Sequence, residues 1–179
     1  KLADRIAAKL GERPYVVIAN FHRRYLDVNR RPRDAFESPH ARIVYDTYHN
    51  ALAEARRDVI DRWGSGLLLD LHGQGADPNV IFRCTQNGKT TSYLLNRFGR
   101  EALIGSNSLF GRLSEAGFHV IPKVGAEDLE QPSYYGGFIV RTHGSQNGGT
   151  VDEIQLEFGR ALLSNSSPDQ TDYRVAHPV

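Results

Sequence analysis

The sequence predicts an α/β fold, a sandwich in which helices cover a mixed, largely parallel sheet. Two observations carry that expectation. Short β-rich apolar runs alternate along the chain with stretches of helical periodicity, the order found when helices cover a sheet. Leu67-Leu68-Leu69 is apolar on both faces of an extended chain, which suits a strand inside such a sheet. The 179 residues suffice for one domain, residues 1–179, with a sizeable core.

The elements follow in order. Leu2, Ile6 and Leu10 recur at helical spacing, with Gly11 as the stop. Pro14 leads into Tyr15-Val16-Val17-Ile18-Ala19, expected as a strand. Asn20 to Pro39 reads as a polar loop crowded with Arg23, Arg24, Arg30, Arg31 and Arg33. From His40 to Trp63 the apolar residues Val44, Tyr48, Leu52, Ala55 and Val59 keep to one helical face, and Gly64-Ser65-Gly66 ends the helix. Val80-Ile81-Phe82 predicts a strand. Asn87-Gly88 predicts a tight turn ahead of Thr90-Thr91-Ser92-Tyr93. Asn107 to Ala116 reads as a helix, and Phe118 to Pro122 as a strand ending at proline. Gly125 to Gln131 is an acidic loop. Tyr134 to Arg141 is a glycine-kinked segment running into a strand. Ser145 to Gly149 is a turn. Ile154 to Phe158 alternates as a strand with one wet face, Ala161 to Leu163 begins a helix, and 165–179 is a loose tail.

Composition narrows the function. A net charge of +1 gives no polyelectrolyte signal, so nucleic acid is not the expected partner. No apolar stretch approaches the roughly 20 residues of a membrane span, and no secretory leader is visible. One cysteine, Cys84, excludes an internal disulfide framework. A cytoplasmic enzyme with a small-molecule substrate is the expectation. The chain has no methionine and begins mid-pattern at Lys1-Leu2-Ala3-Asp4, so an upstream segment is expected.

Chemistry concentrates at Leu67-Leu68-Leu69-Asp70-Leu71-His72-Gly73-Gln74-Gly75. Ligands of α/β sheets bind where strands end. Asp70 and His72 are two apart, so on an extended chain they point to one side. Gly73 and Gly75 permit a sharp turn and a close ligand. The bland alternative is a strand ending in a polar turn, and contact between Asp70 and His72 is left open.

Asp27-Val28-Asn29-Arg30, Asp70-Leu71-His72 and Gln155-Leu156-Glu157 are each unspecific alone. In this order they resemble the zinc carboxypeptidase and aspartoacylase superfamily. The more detailed resemblance is to the N-formylglutamate amidohydrolase family. It runs from about Val16 to about Leu163, through Arg24-Tyr25-Leu26-Asp27-Val28-Asn29-Arg30, Tyr45-Asp46-Thr47-Tyr48-His49-Asn50-Ala51-Leu52 and Tyr135-Gly136-Gly137-Phe138-Ile139-Val140-Arg141. The resemblance implies a three-layer αβα sandwich of the phosphorylase/hydrolase-like, zinc-carboxypeptidase type. It implies His72 as a zinc ligand, Asp70 behind it, Asn29 and Arg30 on a substrate carboxylate, and Glu157 as general acid/base. Arg141 is a second candidate for a carboxylate, and Tyr135 for closing over a small acidic N-acyl amino acid. Two departures stand out. Gly73 replaces a serine that many members carry. No His-x-x-Glu occurs, so the other two Zn²⁺ ligands are expected upstream of Lys1.

The implied chemistry is hydrolysis of N-formyl-L-glutamate to formate and L-glutamate, a step of histidine degradation. Zinc with an open position lowers the pKa of a bound water to about 7. Alternatives are a related metal-dependent N-acyl-amino-acid or peptide amidase, and a catalytically inactive carboxylate-binding relative. His22, His49 and His143 read more readily as structural or solvated residues than as ligands.

Overall fold

The computed structural model describes residues 2–126 and 129–164. It is a mixed α/β structure. Helix α1 covers Leu2–Leu10, and Gly11 closes it at φ 76°. After a long irregular stretch come a short helix, α2 (Pro32–Ala35), and a long one, α3 (Arg42–Trp63). Gly64 ends α3 in the left-handed conformation, its N–H donating to Ile60 O. Strands β1 (Gly66–Gln74) and β2 (Val80–Cys84) follow. Helices α4 (Ser92–Phe98), α5 (Glu101–Ile104) and α6 (Leu109–Glu115) lead to β3 (His119–Ile121). Ser108 caps α6 by accepting from Gly111 N–H. Helix α7 (Phe138–His143), strand β4 (Val151–Gly159) and helix α8 (Arg160–Ser164) complete the described chain.

The sheet order is β1-β4-β2-β3, so the last strand in sequence lies inside the sheet. β1 and β4 are parallel, as are β2 and β3, while β2 and β4 are antiparallel. Alternation divides β4 cleanly. Ile154 and Leu156 join Ile81, Phe110 and Val120 in one apolar cluster, with Leu69 and Phe158 packed against it. A second cluster gathers Leu26, Val28, Tyr45, Leu52 and Ile139, with Leu68 packed against it. Leu68 and Leu69 therefore serve different clusters, as neighbours on a strand must.

Several expectations are corrected. β1 lies at the sheet edge, with Leu67 53% and Leu71 48% exposed, so it is not buried on both faces. The strand continues through His72 and Gly73 to Gln74, so the sharp turn comes after Gln74. Tyr15 to Ala19 is not a strand. It runs unpaired although the outer edge of β1 is open among the described residues, since strand propensity expresses packing more than backbone preference. The tight turn at Asn87-Gly88 is present, and Thr90 to Tyr93 after it is helical. Phe138 onward is helix α7, because Asn29 supplies acceptors for its first free N–H groups: Asn29 O takes Phe138 N–H and Asn29 Oδ1 takes Ile139 N–H. Residues Val151 to Leu156 are buried on both faces, so β4 has no wet face. The expected tail, 165–179, lies outside the described residues.

The acidic loop holds a structural anchor. Glu130, with a fully buried side chain, pairs with Arg83 Nε at 3.2 Å. It also accepts from Thr85 N–H, Thr85 Oγ1 and Asn87 N–H. These bonds hold the turn in which Gln86 and Asn87 both have positive φ (54° and 55°). Replacing Glu130 with alanine strands Arg83 and two loop N–H groups, at a cost of about 3–5 kcal/mol. Urea unfolding should show that loss, and a change below about 1 kcal/mol would contradict the anchoring role.

Candidate active site

The register of β1 on β4 builds the site. His72 pairs with Glu157 and Asp70 with Gln155 across adjacent parallel strands. Such strands lie about 4.8 Å apart, so side chains on one face reach each other. On the other side of β4, Phe82 of β2 pairs with Glu157, and Tyr134 stacks on Phe82 at 4.1 Å.

Asn29 bridges this row from the arginine-rich loop. Ile139 N–H can only donate, so Oδ1 of Asn29 faces it and Nδ2 points toward the strands. Nδ2 donates to Gln155 Oε1 at 3.2 Å and lies 3.4 Å from His72 Nε2. Gly137 N–H also donates to Gln155 Oε1, at 2.8 Å, which leaves Gln155 Nε2 to donate to Glu157 Oε1, also at 2.8 Å. The backbone of Gly137 presses so closely on the Asn29 amide that a Cβ there would collide with it.

Nε2 of His72 lies 2.9 Å from Asp70 Oδ2. Burial opposes charge on this ring, but Asp70 and then Glu157 outweigh it and raise its pKa. The structure thus brings Asp70 and His72 into contact, which the sequence left open. Burial also pushes the Glu157 carboxyl up, against the opposing pulls of His72, Gln155 and Arg23. A raised carboxyl is better matched to proton transfer near neutrality.

The remaining candidates sit at the margin. Arg30 is mostly exposed, with Nε 3.1 Å from Asp27 Oδ2. Arg23 Nε approaches the same oxygen at 2.8 Å. The other Asp27 oxygen accepts from Asn29 N–H. Arg23, Asn29, Asp70 and His72 line one cleft of about 1080 Å³; Arg30 does not. Arg141 is exposed and donates from Nε to Gly137 O. Tyr135 is half-buried, and its carbonyl accepts from Gln86 N–H. Arg23 and Gln155 were given no role in the sequence reading. Their signals were Arg23 four residues before Asp27, and Gln155 on the same strand face as Glu157.

Deeper on this face the polar groups are fully enclosed. The Glu153 carboxyl is buried without a hydrogen-bond partner among the described residues, and burial followed by the charge of Asp70 raises its pKa well above the usual carboxylate range. His143 is 5% exposed, and burial, then His49 and Arg56, push its pKa down to about 4. Burial lowers His49 as well. Among the described residues, no group of three His, Cys, Asp or Glu converges to hold a metal ion.

A pH dependence follows. In the unfolded chain His143 titrates near its ordinary value of 6.5, whereas in the fold it stays neutral to about 4. The unfolded state binds more protons in that window, so the His143 contribution is complete above 6.5 and is lost as pH falls toward 4. Glu153 acts oppositely, its contribution being present below 4.5 and lost as pH rises. Comparison with His143→Gln separates the two. Wild-type stability relative to this variant should decline between pH 6.5 and 4. A flat difference in pH-dependent urea unfolding would contradict neutral burial.

Comparison with protein-family models, with curated proteins and with solved structures finds no match to this chain.

Proposed function

We propose that the protein is a zinc-dependent amidohydrolase that hydrolyses N-formyl-L-glutamate to formate and L-glutamate in the cytoplasm, as a step of histidine degradation, on a three-layer αβα sandwich of the zinc-carboxypeptidase type. One observation carries this reading: the register that sets His72 opposite Glu157, with Asn29 and Gln155 over them. It joins an imidazole, a group of a type that can ligate a metal, with a carboxyl of raised pKa and an amide donor in one place.

The donor set suits zinc. An imidazole nitrogen and a carboxylate oxygen meet at 2.9 Å, and both are ordinary zinc ligand types. His72 would hold the ion with Asp70 beside it, and the remaining ligands would come from outside the described residues. Bound there, zinc would polarise the formyl oxygen and acidify a water.

The chain's own groups would do the rest. Water oxygen adds to the formyl carbon, the C–N bond breaks, and the water's proton passes through Glu157 to the leaving nitrogen. The Gln155 amide, fixed in direction by Gly137, aims the Glu157 carboxylate. Arg23, which lines the cleft, is held through Nε by Asp27 and would offer its terminal nitrogens to a planar carboxylate, with Arg30 beside it on the same Asp27 oxygen. The size of the cleft also favours a second reading, hydrolysis of a larger acyl group or a peptide. Formate release compared with acetate and longer-acyl release separates the two.

Glu157→Gln keeps size and hydrogen bonding but cannot cycle a proton, so it should lower kcat by at least about 10²-fold with thermal stability nearly intact. Near-full kcat would reject the role. Arg30→Lys should raise KM for N-formyl-L-glutamate far more than for an uncharged formamide. Equal effects would remove Arg30 from the carboxylate site.

A further inference from the structure

We infer that His49 and His143 form a link, locked in one tautomer, that positions the Asn29 loop over the cleft; its functional consequence rests on the carboxylate-binding role proposed above. His49 lies on α3, and its Nε2 is 3.0 Å from Val28 O. A carbonyl only accepts, so Nε2 carries a proton. In a neutral ring Nδ1 is then an acceptor, and it lies 3.2 Å from Nε2 of His143 on α7. His143 must therefore donate to it. The alternative, a doubly protonated His49, is opposed by burial. The two rings are nearly parallel, at 14°. Tyr45, Tyr48 and Phe138 enclose His49.

The loop is held at every step. Three successive carbonyls each have their own donor: Val28 O has His49, Asn29 O has Phe138 N–H, and Arg30 O has the Tyr45 hydroxyl at 2.9 Å. Two donors come from α3 and one from α7, while His143 ties α7 back to His49. The Asn29 side chain thereby meets Gln155 and His72 at fixed distances. His49 and His143 are positioning residues: they act through the Val28 peptide and touch no reacting atom.

The test uses the 179-residue chain. Long-range proton–nitrogen NMR of histidine-labelled protein, assigned with His49→Gln and His143→Gln, reads the tautomers. Both rings should be neutral with the proton on Nε2 at pH 7. An Nδ1–H tautomer or an imidazolium at either position would overturn the link. Calorimetric titration with L-glutamate reads the consequence. His143→Leu, which removes the donor, should weaken binding roughly tenfold. His143→Gln, which supplies an amide donor, should restore most of it. Unchanged affinity in a folded His143→Leu chain would overturn the positioning role. A wild-type chain that does not bind L-glutamate would overturn the carboxylate-binding reading and the positioning role with it, while the spectra would still decide the link itself.

Discussion

The arrangement depends on one constraint, the parallel register of β1 on β4. Side chains on a strand alternate, so slipping β1 by a single residue would turn Asp70 and His72 toward the cluster that now holds Leu69. The apolar residues resist that slip from both sides. Leu68 packs against the cluster that contains Tyr45 and Leu52, and Leu69 against the cluster that contains Ile81 and Ile154. The site is thus specified by hydrophobic partition, and its polar atoms occupy positions that the core has already fixed.

Around that row the polar groups are oriented by donors that cannot reverse. Backbone N–H groups of Gly137 and Ile139 set the direction of the Gln155 and Asn29 amides, and these aim at Glu157 and His72. Asn29 is therefore more than a donor toward the cleft. It joins the arginine-rich loop, the start of α7 and the central strand. The enclosed charges pull the same region in different directions: Asp70 raises both His72 and Glu153, while Arg56 opposes the rise at Glu153 and lowers His143.

Much of this was legible in the sequence where local periodicity and core packing agree. The long helix with its glycine stop, the β1 and β2 runs, and the placing of Gln155 and Glu157 on the face opposite Leu156 all follow from spacing. What escaped depends on distant partners. Phe138 to His143 has an apolar start that suits a strand, but Asn29, more than a hundred residues earlier, supplies the acceptors that let it begin a helix. Tyr15 to Ala19 has strand composition and no ladder. Glu130 reads as part of an acidic loop, yet it is buried against Arg83 and the turn after β2. The Asp70–His72 contact needed a strand that continues past His72, whereas the glycines had suggested an earlier turn.

The central proposal is that His72, set opposite Glu157 by the β1–β4 register, holds a zinc ion in the cleft that Asn29 and Asp70 also line. Anomalous diffraction at the zinc edge from crystals of the zinc-equilibrated protein tests it most directly. The account predicts a peak bonded to the His72 ring, with the Glu157 carboxylate facing the same space. A zinc peak elsewhere, or His72 still paired only with Asp70 in zinc-saturated crystals, would contradict it.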